Sequence, residues 1–404
     1  MKIGIVGAGA AGLMAAGNLA RNGHDVTVFE KREKVARKIL VTGKGRCNIL
    51  NNCETDEFLK NVPRNPRFLY SAMKMLSPHK TMDFFENEVG LELKTERGNR
   101  VFPKSEKAME VVDKMLNFCR NAGVSFVFDA VCDVFSDDDM QISGIITQNK
   151  KYYFDAVVIA TGGLSYPKTG SNGDGYKFAR KFSHTIVTPE ASLIGLKTDM
   201  SDVKSLQGLS LKNIEVTLFE GNKPIFSDFG EMIFTHEGLS GPVILSSSAH
   251  IVSDNLHKVT IDLKPALEFE ALDKRILRDF EKNINKNFNN ALDELLPRKI
   301  IPVIIARSGI DEYAKVHSIT KKDRQKLCRI IKNFEVSIIG KGSINEAIIT
   351  RGGISVKEIN PKTMESKKIS GLYFIGEVLD VDAYTGGFNL QIAWSTAYLM
   401  ANSL

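Results

Sequence analysis

Several features are scarce or missing in this chain of 404 residues. No apolar run approaches the roughly 20 residues that cross a bilayer, so the sequence predicts no membrane span. The five cysteines lack the close, regular spacing of a disulfide framework. The first apolar strand begins at Met1, which leaves no room for a signal peptide. Together these absences predict a reduced, cytoplasmic protein.

Short motifs of several enzyme classes are also missing. The histidines show no HExxH spacing, and there is neither a G-x-S-x-G nucleophile turn nor a Walker A loop. The sequence therefore predicts no metal site. The net charge is only +6, with Lys and Arg interspersed among Asp and Glu. Because nucleic-acid proteins usually gather their basic residues on one stripe, this balance predicts no nucleic-acid partner.

The chain opens with a dinucleotide-binding fingerprint. An apolar strand leads into GAGAAG (7–12), a helix follows, and a second apolar strand ends in Glu30. Gly7 permits the turn off the strand, Gly9 lets the backbone approach a pyrophosphate, and Gly12 lets the helix pack against the sheet. The helix N-terminus offers free N–H groups to phosphates, and Glu30 can accept hydrogen bonds from ribose hydroxyls.

Three later segments favour FAD over NAD as the bound dinucleotide. Residues 160–163 (ATGG) end another apolar strand, where ligands bind in open α/β sheets. Residues 376–380 (GEVLD) place a Gly-Glu pair at the end of a further strand. This arrangement suits the ribityl and pyrophosphate region of FAD, with Asp380 as the direct hydrogen-bond partner. Residues 385–391 (TGGFNLQ) open the last helix, whose dipole would stabilise negative charge on a reduced flavin ring.

The periodicity of apolar residues changes twice along the chain, which predicts an insertion within the nucleotide domain. Period-two alternation after Pro189 indicates antiparallel strands, and helical spacing follows from Leu267 to Lys332. The predicted divisions are a split FAD-binding domain (1–189 and 353–404), a β-rich inserted domain (190–264 and 335–352) and a helical subdomain (265–334).

The fingerprint and five further stretches resemble a bacterial flavoprotein family that includes aminoacetone oxidase-like enzymes and bile-acid dehydroxylation flavin reductase-like proteins. The stretches are ARKILVTGKGRCN (36–48), ATGGLSYPKTGSNGDGY (160–176), FTHEGLSGPVIL (234–245), TRGGI (350–354) and GEVLDVDAYTGGFNLQIAWSTAY (376–398). The resemblance covers essentially the whole chain. It implies an α/β fold: a Rossmann-type FAD domain of glutathione-reductase type with inserted β-barrel-like and small helical subdomains.

The resemblance also implies the cofactor contacts, position by position. It assigns the pyrophosphate loop, the adenosine ribose ligand, the adenine contact, the loop that passes the cofactor, the second dinucleotide contact and the flavin region. In chain order these positions are Gly7, Gly9, Ala11, Gly12, Glu30, Lys31, Lys38, Gly43, Arg46, Cys47, Asn48, Val131, Thr161, Gly162, Gly376, Glu377, Asp380, Gly387, Phe388, Asn389 and Gln391.

Three residues are candidates for catalysis, each with a plainer alternative. His236, at a glycine-marked turn, is a candidate proton donor or substrate ligand, or else a hydrogen-bonded turn histidine. Tyr166 would line the substrate cavity or lie in a surface loop. Cys47 would be a thiol beside the flavin or a structural cysteine. Cys47 and Cys53 are separated by five residues, unlike the CxxxxC pair of flavin disulfide reductases.

The remaining cysteines lie in apolar surroundings. This context predicts that Cys119, Cys132 and Cys328 belong to the hydrophobic core.

The residues predict an FAD-dependent oxidoreductase with hydride transfer at flavin N5. A second GxGxxG is absent, so NAD(P)H would be a transient electron donor. Two versions stay open: NAD(P)H-driven reduction of a small or hydrophobic organic substrate, and an amine oxidase that produces hydrogen peroxide. A non-enzymatic flavin-binding redox sensor is the alternative from another class. The expected partner is a small-molecule substrate, and the chain is expected to be a monomer or homodimer.

Overall fold

The computed structural model describes residues 1–253 and 255–404. The chain divides into two compact units. The first unit is discontinuous and contains residues 1–192 and 343–404, and the second contains residues 193–342.

The first unit is built on a five-stranded parallel sheet. Its strands are β1 (Lys2–Val6), β2 (Asp25–Phe29), β3 (Ser125–Val127), β4 (Ala156–Ile159) and β5 (Leu372–Phe374), in the spatial order β5-β4-β1-β2-β3. All residues of β4 and β5 are buried. A parallel strand covered on both faces needs such a continuous apolar run. The sheet confirms the Rossmann-like fold predicted from the sequence.

Helix α1 (Ala10–Arg21) packs on β1 and β2 of this sheet, and the two other long helices of the unit are α2 (Ala108–Asn121) and α3 (Phe388–Ala401). Helix α1 packs against both α2 and α3. Helix α3 buries most of its residues, including Trp394, whose indole N–H donates to the Ile49 carbonyl at 3.0 Å. The last helix is therefore a core element of the first unit.

Smaller elements complete the first unit. Its other strands form two three-stranded sheets and one antiparallel pair: Leu50–Asn51, Leu93–Glu96 and Arg100–Pro103; Val131–Ser136, Ile142–Thr147 and Lys151–Tyr153; Ile186–Ser192 and Ile349–Ile354. Its other α-helices are Arg37–Val41, Thr55–Lys60, Tyr70–Met75, Pro78–Asp83 and Asp174–Lys181.

In its described residues, the second unit contains a seven-stranded antiparallel sheet and five α-helices. In spatial order the strands are Phe334–Ile338, His257–Asp262, Ser210–Glu220, Lys223–Phe234, Gly238–Ser240, Leu196–Lys197 and Gly340–Lys341. The helices are Ser201–Ser205, Pro242–Ser248, Phe269–Lys282, Ile301–Ser308 and Lys321–Lys332. Alternate residues of the long strand Ser210–Glu220 are buried, as period-two patterning requires.

The strand Ile349–Ile354 lies partly in residues 335–352, which the sequence pattern assigned to the β-rich insertion. It pairs with Ile186–Ser192 and belongs to the first unit, so the chain returns to this unit near residue 343. The division of the insertion into β-rich and helical subdomains stays a prediction. Among the described residues, no helix combines the length and apolar character needed to cross a bilayer.

Candidate flavin site

Two glycines of the fingerprint are required by the packing of the protein itself. Gly7 has φ +105°, and its N–H donates to the Phe29 carbonyl at 2.8 Å. A Cβ on Gly12 would lie 1.9 Å from the Gly7 carbonyl oxygen, where no side chain fits. These positions hold helix α1 close to the strand end.

Gly9 differs, because no close contact within the described part of the protein requires a glycine at this position. It caps helix α1 with φ −84°, a value that any residue adopts, and a Cβ there would meet nothing within 4 Å. The space beside Gly9 adjoins the first turn of α1, whose N–H groups lack intrahelical partners. Open space at a helix N-terminus suits the pyrophosphate of a dinucleotide.

The acid at the end of β2 faces the same loop. The Glu30 carboxylate accepts the Ala8 N–H at 3.1 Å and the Arg32 N–H at 2.9 Å, which fixes its orientation beside the fingerprint. Lys31 turns away to Asp174, at 2.6 Å. Val131 is half-buried and pairs with Thr147 in a separate antiparallel sheet.

A hydrogen-bonded cluster joins four of the sequence stretches that carry the family resemblance. Lys38 Nζ donates to the Glu377 carboxylate at 2.7 and 3.0 Å and to Ser165 Oγ at 2.6 Å. Glu377 also accepts the Ser165 hydroxyl and the Thr350 N–H, both at 2.9 Å. Thr350 Oγ1 accepts the N–H groups of Leu164 and Ser165. The structure thus brings distant stretches together around one carboxylate.

The second part of the fingerprint meets the C-terminal strand end directly. A Cβ on Gly376 would lie 2.9 Å from the Ala11 Cβ. Gly162 has φ +72°, and a Cβ there would approach Ser171 Oγ at 2.9 Å. Gly376 therefore packs directly on Ala11, and Gly162 packs on Ser171.

The loop 43–48 has three kinds of contact. Arg46 pairs with Glu96 at 3.0 Å and stacks over the Phe102 ring, 4.1 Å from its centroid. Gly43, with φ +56°, packs against the backbone of Asn48. Asn48 Oδ1 is buried without a hydrogen-bond partner.

Cys47 is fully buried, and burial raises the pKa of its thiol to about 12. Such a thiol stays protonated at neutral pH, which argues for the structural alternative rather than the catalytic one. All five cysteines are free. Cys132 is exposed, so the prediction that it lies in the core is wrong: the pairing register with the strand Ile142–Thr147 shifts between Val131 and Asp133, which leaves Cys132 as the extra residue of a bulge.

Side chains at the start of α3 are engaged by the protein. Phe388 packs on Phe58 with ring centroids 5.5 Å apart. Asn389 bonds to the backbone of Ala383, accepting its N–H at 2.9 Å and donating to its carbonyl at 2.7 Å. The Gln391 amide is buried and donates to Leu76, Thr81 and Ser395. These side chains shape the helix N-terminus, and its backbone N–H groups remain the groups suited to a flavin ring.

The segment before α3 holds two buried carboxylates in different surroundings. Asp380 pairs with the Arg64 guanidinium through both oxygens and accepts the Asn65 amide at 3.1 Å. Asp382 is 2% exposed; its Oδ2 bonds to Ser192 Oγ at 3.1 Å and its Oδ1 has no partner. Burial, opposed by Arg351 and Arg64, raises the pKa of Asp382 to about 6. The sequence reasoning missed Asp382, Arg64 and Asn65, because no local motif marks them.

Unsatisfied polar atoms test whether these residues fit FAD. Asn48 Oδ1, Thr161 Oγ1, Gln391 Oε1 and the Tyr176 hydroxyl are buried without partners. Burying an unpaired polar group costs about 1–3 kcal/mol, so these four atoms, all on stretches that carry the family resemblance, indicate missing partners. The many polar groups of FAD could supply them. Together with the space at Gly9, the residues present fit the cofactor.

The other two catalytic candidates lie on turns. Tyr166 has φ +52° and is half-buried, and its carbonyl accepts the Thr169 N–H at 2.8 Å. His236 lies in the second unit, exposed between the strands Lys223–Phe234 and Gly238–Ser240. Their catalytic roles stay predictions. In the described part of the chain, no group of three or more His, Cys, Asp or Glu could hold a metal ion.

Curated relatives match almost the full chain. It is 33% identical to the "Ribosomal RNA dihydrouridine synthase" of Haemophilus influenzae, covering 99% of this chain and 97% of the relative. It is 29% identical to the "3-dehydro-bile acid delta(4,6)-reductase" of Clostridium scindens (98% and 97% covered) and to the Escherichia coli "Ribosomal RNA dihydrouridine synthase" (99% and 97%).

Among solved structures, 3-ketosteroid delta1-dehydrogenase from Sterolibacterium denitrificans matches with a TM-score of 0.54 and 13% identity, covering 99% of this chain and 98% of that one. This likeness shows the fold alone. The family model described as "HI0933-like protein Rossmann domain" matches residues 1–403. The chain therefore belongs to the HI0933-like family of FAD-binding Rossmann proteins and is an FAD-dependent oxidoreductase.

Proposed function

We propose that this protein is an NAD(P)H-driven reductase of a C=C bond conjugated to a carbonyl group. The observation that carries the proposal is the near-complete match to relatives named for such reductions. Dihydrouridine is uridine whose ring C=C bond, conjugated to a carbonyl, has been saturated. A bile-acid delta(4,6)-reductase likewise acts on C=C bonds of a ring system.

Uridine in ribosomal RNA is the substrate that we favour. The relative with 33% identity and one of the two at 29% are named as ribosomal RNA dihydrouridine synthases. This proposal departs from the expectation of no nucleic-acid partner, which rested on an even charge distribution along the sequence. A hydrophobic small molecule is the second candidate, favoured by the bile-acid reductase relative.

The residues of this chain would bind and orient the cofactor. Bound FAD would supply the hydride-transferring N5 atom. The α1 N-terminus beside Gly9 would hold the pyrophosphate, the Lys38–Glu377 pair would hold the stretches around it in place, and the α3 N-terminus would stabilise negative charge on the ring. NAD(P)H would visit the site transiently.

The test has a reductive and an oxidative half. First, anaerobic stopped-flow absorbance follows bleaching of the yellow holoenzyme by NADH or NADPH. Second, the enzyme and NADPH are incubated with deproteinised ribosomal RNA or with a steroid enone. Mass spectrometry of the digested RNA or extracted steroid detects the gain of two hydrogens.

We expect rapid bleaching, and dihydrouridine in the RNA. A saturated steroid with unchanged RNA would support the second candidate. No bleaching, with hydrogen peroxide formed from small amines in air, would contradict the proposal and favour the amine oxidase alternative.

A further inference from the structure

Basic and acidic residues are unevenly distributed along the sequence of the inserted unit. Residues 269–332 carry 15 Lys and Arg against 9 Asp and Glu, a net +6 that equals the net charge of the whole protein. The preceding stretch of the unit, residues 193–268, carries 6 Lys and Arg against 10 Asp and Glu, a net −4. The helical part is therefore the basic part of this unit.

Much of that charge lies on one helix, Lys321–Lys332, which contains six basic residues and one acid. The acid, Asp323, is used at the helix start: its N–H donates to Thr320 Oγ1 at 3.2 Å, and its carboxylate accepts the Thr320 hydroxyl at 2.6 Å. This capping arrangement fixes the beginning of the helix.

Two of the six cations are neutralised by the fold. Arg324 makes a two-pronged contact with Asp273 at 2.7 and 3.0 Å, and Lys332 pairs with Asp262 at 2.5 Å. The buried face of the helix, with Leu327, packs on the helices Phe269–Lys282 and Ile301–Ser308. The orientation of the helix is thus fixed by its core face and by these two pairs.

The other four cations, Lys321, Lys322, Lys326 and Arg329, are exposed. In the part of the chain that the structure describes, none of them has an ion pair. Lys322, Lys326 and Arg329 are spaced four and three residues apart, so they share one helical face. The face spans roughly 10 Å along the helix axis, at about 1.5 Å per residue.

We propose that this face, formed by Lys322, Lys326 and Arg329 with Lys321 beside them, binds the phosphodiester backbone of the RNA substrate. The inference rests on the proposed function in ribosomal RNA. Among the described residues, these exposed cations have no ion pair to break when they contact phosphate. Binding therefore costs little interaction energy and releases the counterions of the phosphates. Such contacts position the RNA without reading its sequence.

The test uses the FAD-loaded enzyme and the triple variant K322Q/K326Q/R329Q. The matched control is K357Q/K362Q/K367Q, which removes three exposed lysines from the first unit. Fluorescence anisotropy measures binding of labelled poly(U) across a KCl series, and mass spectrometry measures dihydrouridine in deproteinised ribosomal RNA. Flavin bleaching by NADPH and the melting temperature show that each variant is folded and loaded.

We expect the triple variant to lower the slope of log affinity against log salt by about 2, since each single-strand phosphate contact contributes about 0.7. Dihydrouridine formation should fall at least tenfold at moderate salt, with bleaching unchanged and the control variant like wild type. If wild type modifies RNA and the triple variant binds and modifies it equally well, the surface is wrong and the function stands. If wild type neither binds nor modifies RNA, the proposed RNA substrate fails, and this surface with it.

Discussion

At the scale of single residues, Asp382 shows how burial sets the protonation of a carboxyl group. Asp380 is held by Arg64 and Asn65, whereas Asp382 has one unpaired oxygen and a pKa raised to about 6 by burial. Asp382 therefore carries a proton over part of the physiological range.

This environment predicts the effect of Asp382→Asn on stability. The folded carboxyl, with a pKa of about 6 against 3.8 ordinarily, binds its proton more tightly than the unfolded one. The wild-type free energy of unfolding therefore falls as pH rises from about 4 to about 6. The variant cannot ionise there, so its stability relative to wild type should rise over this window by about 3 kcal/mol, at about 1.4 kcal/mol per pKa unit.

Urea unfolding of both proteins at several pH values measures this difference. Asp138→Asn, at an exposed position, is the control and should show little trend. A difference between Asp382→Asn and wild type that does not change with pH would contradict the assignment.

The cysteines give a second prediction at this scale. Cys47 is buried with a pKa of about 12, and Cys53 is buried with a pKa of about 11, whereas Cys132 is exposed. A thiol reagent at pH 8 should therefore label one cysteine rapidly in the native protein and all five after unfolding. Cys47→Ala should keep flavin reduction by NADPH within a fewfold of wild type. Rapid native labelling of Cys47 would contradict the structural role.

At the scale of elements, two glycines of the fingerprint loop have different roles: Gly12 is required for packing, and Gly9 leaves space for a ligand. Gly12→Ala would force a Cβ to 1.9 Å from the Gly7 oxygen, whereas Gly9→Ala would meet only open space. We expect Gly9→Ala to fold like wild type without FAD but to bind FAD at least about tenfold more weakly, or about 1.4 kcal/mol. Gly12→Ala should lower the melting temperature of the apoprotein. Calorimetric melting and FAD titration measure both; unchanged FAD affinity in Gly9→Ala would contradict a pyrophosphate at this position.

Local patterns explain which elements were predictable. The strand, glycines, helix and acid of the fingerprint follow one another within 30 residues, so spacing alone predicted them. The contact between Arg64 and Asp380 joins residues 316 positions apart, and Ser192 meets Asp382 across 190. No sequence period encodes such pairs. The prediction for Cys132 failed because apolar neighbours in the sequence do not reveal a register shift in strand pairing.

At the scale of the whole molecule, the two units have separate hydrophobic cores. One core draws on residues from both segments of the first unit, and the other lies within the inserted unit. Separate cores predict two transitions in scanning calorimetry. The FAD contacts that we propose lie in the first unit, so excess FAD should raise one transition, by about 2.7 kcal/mol of stability at 100 times its dissociation constant. A single transition, or equal shifts of both, would contradict this division.

The most direct test of the central claim is whether the reduced flavin passes its electrons to RNA when oxygen is absent. The holoenzyme is reduced anaerobically with one equivalent of NADPH and mixed with deproteinised ribosomal RNA while absorbance of the oxidised flavin is recorded. The account predicts that the yellow colour returns and that dihydrouridine forms in equal amount. Flavin that stays reduced until oxygen is admitted, with no dihydrouridine in the RNA, would contradict it.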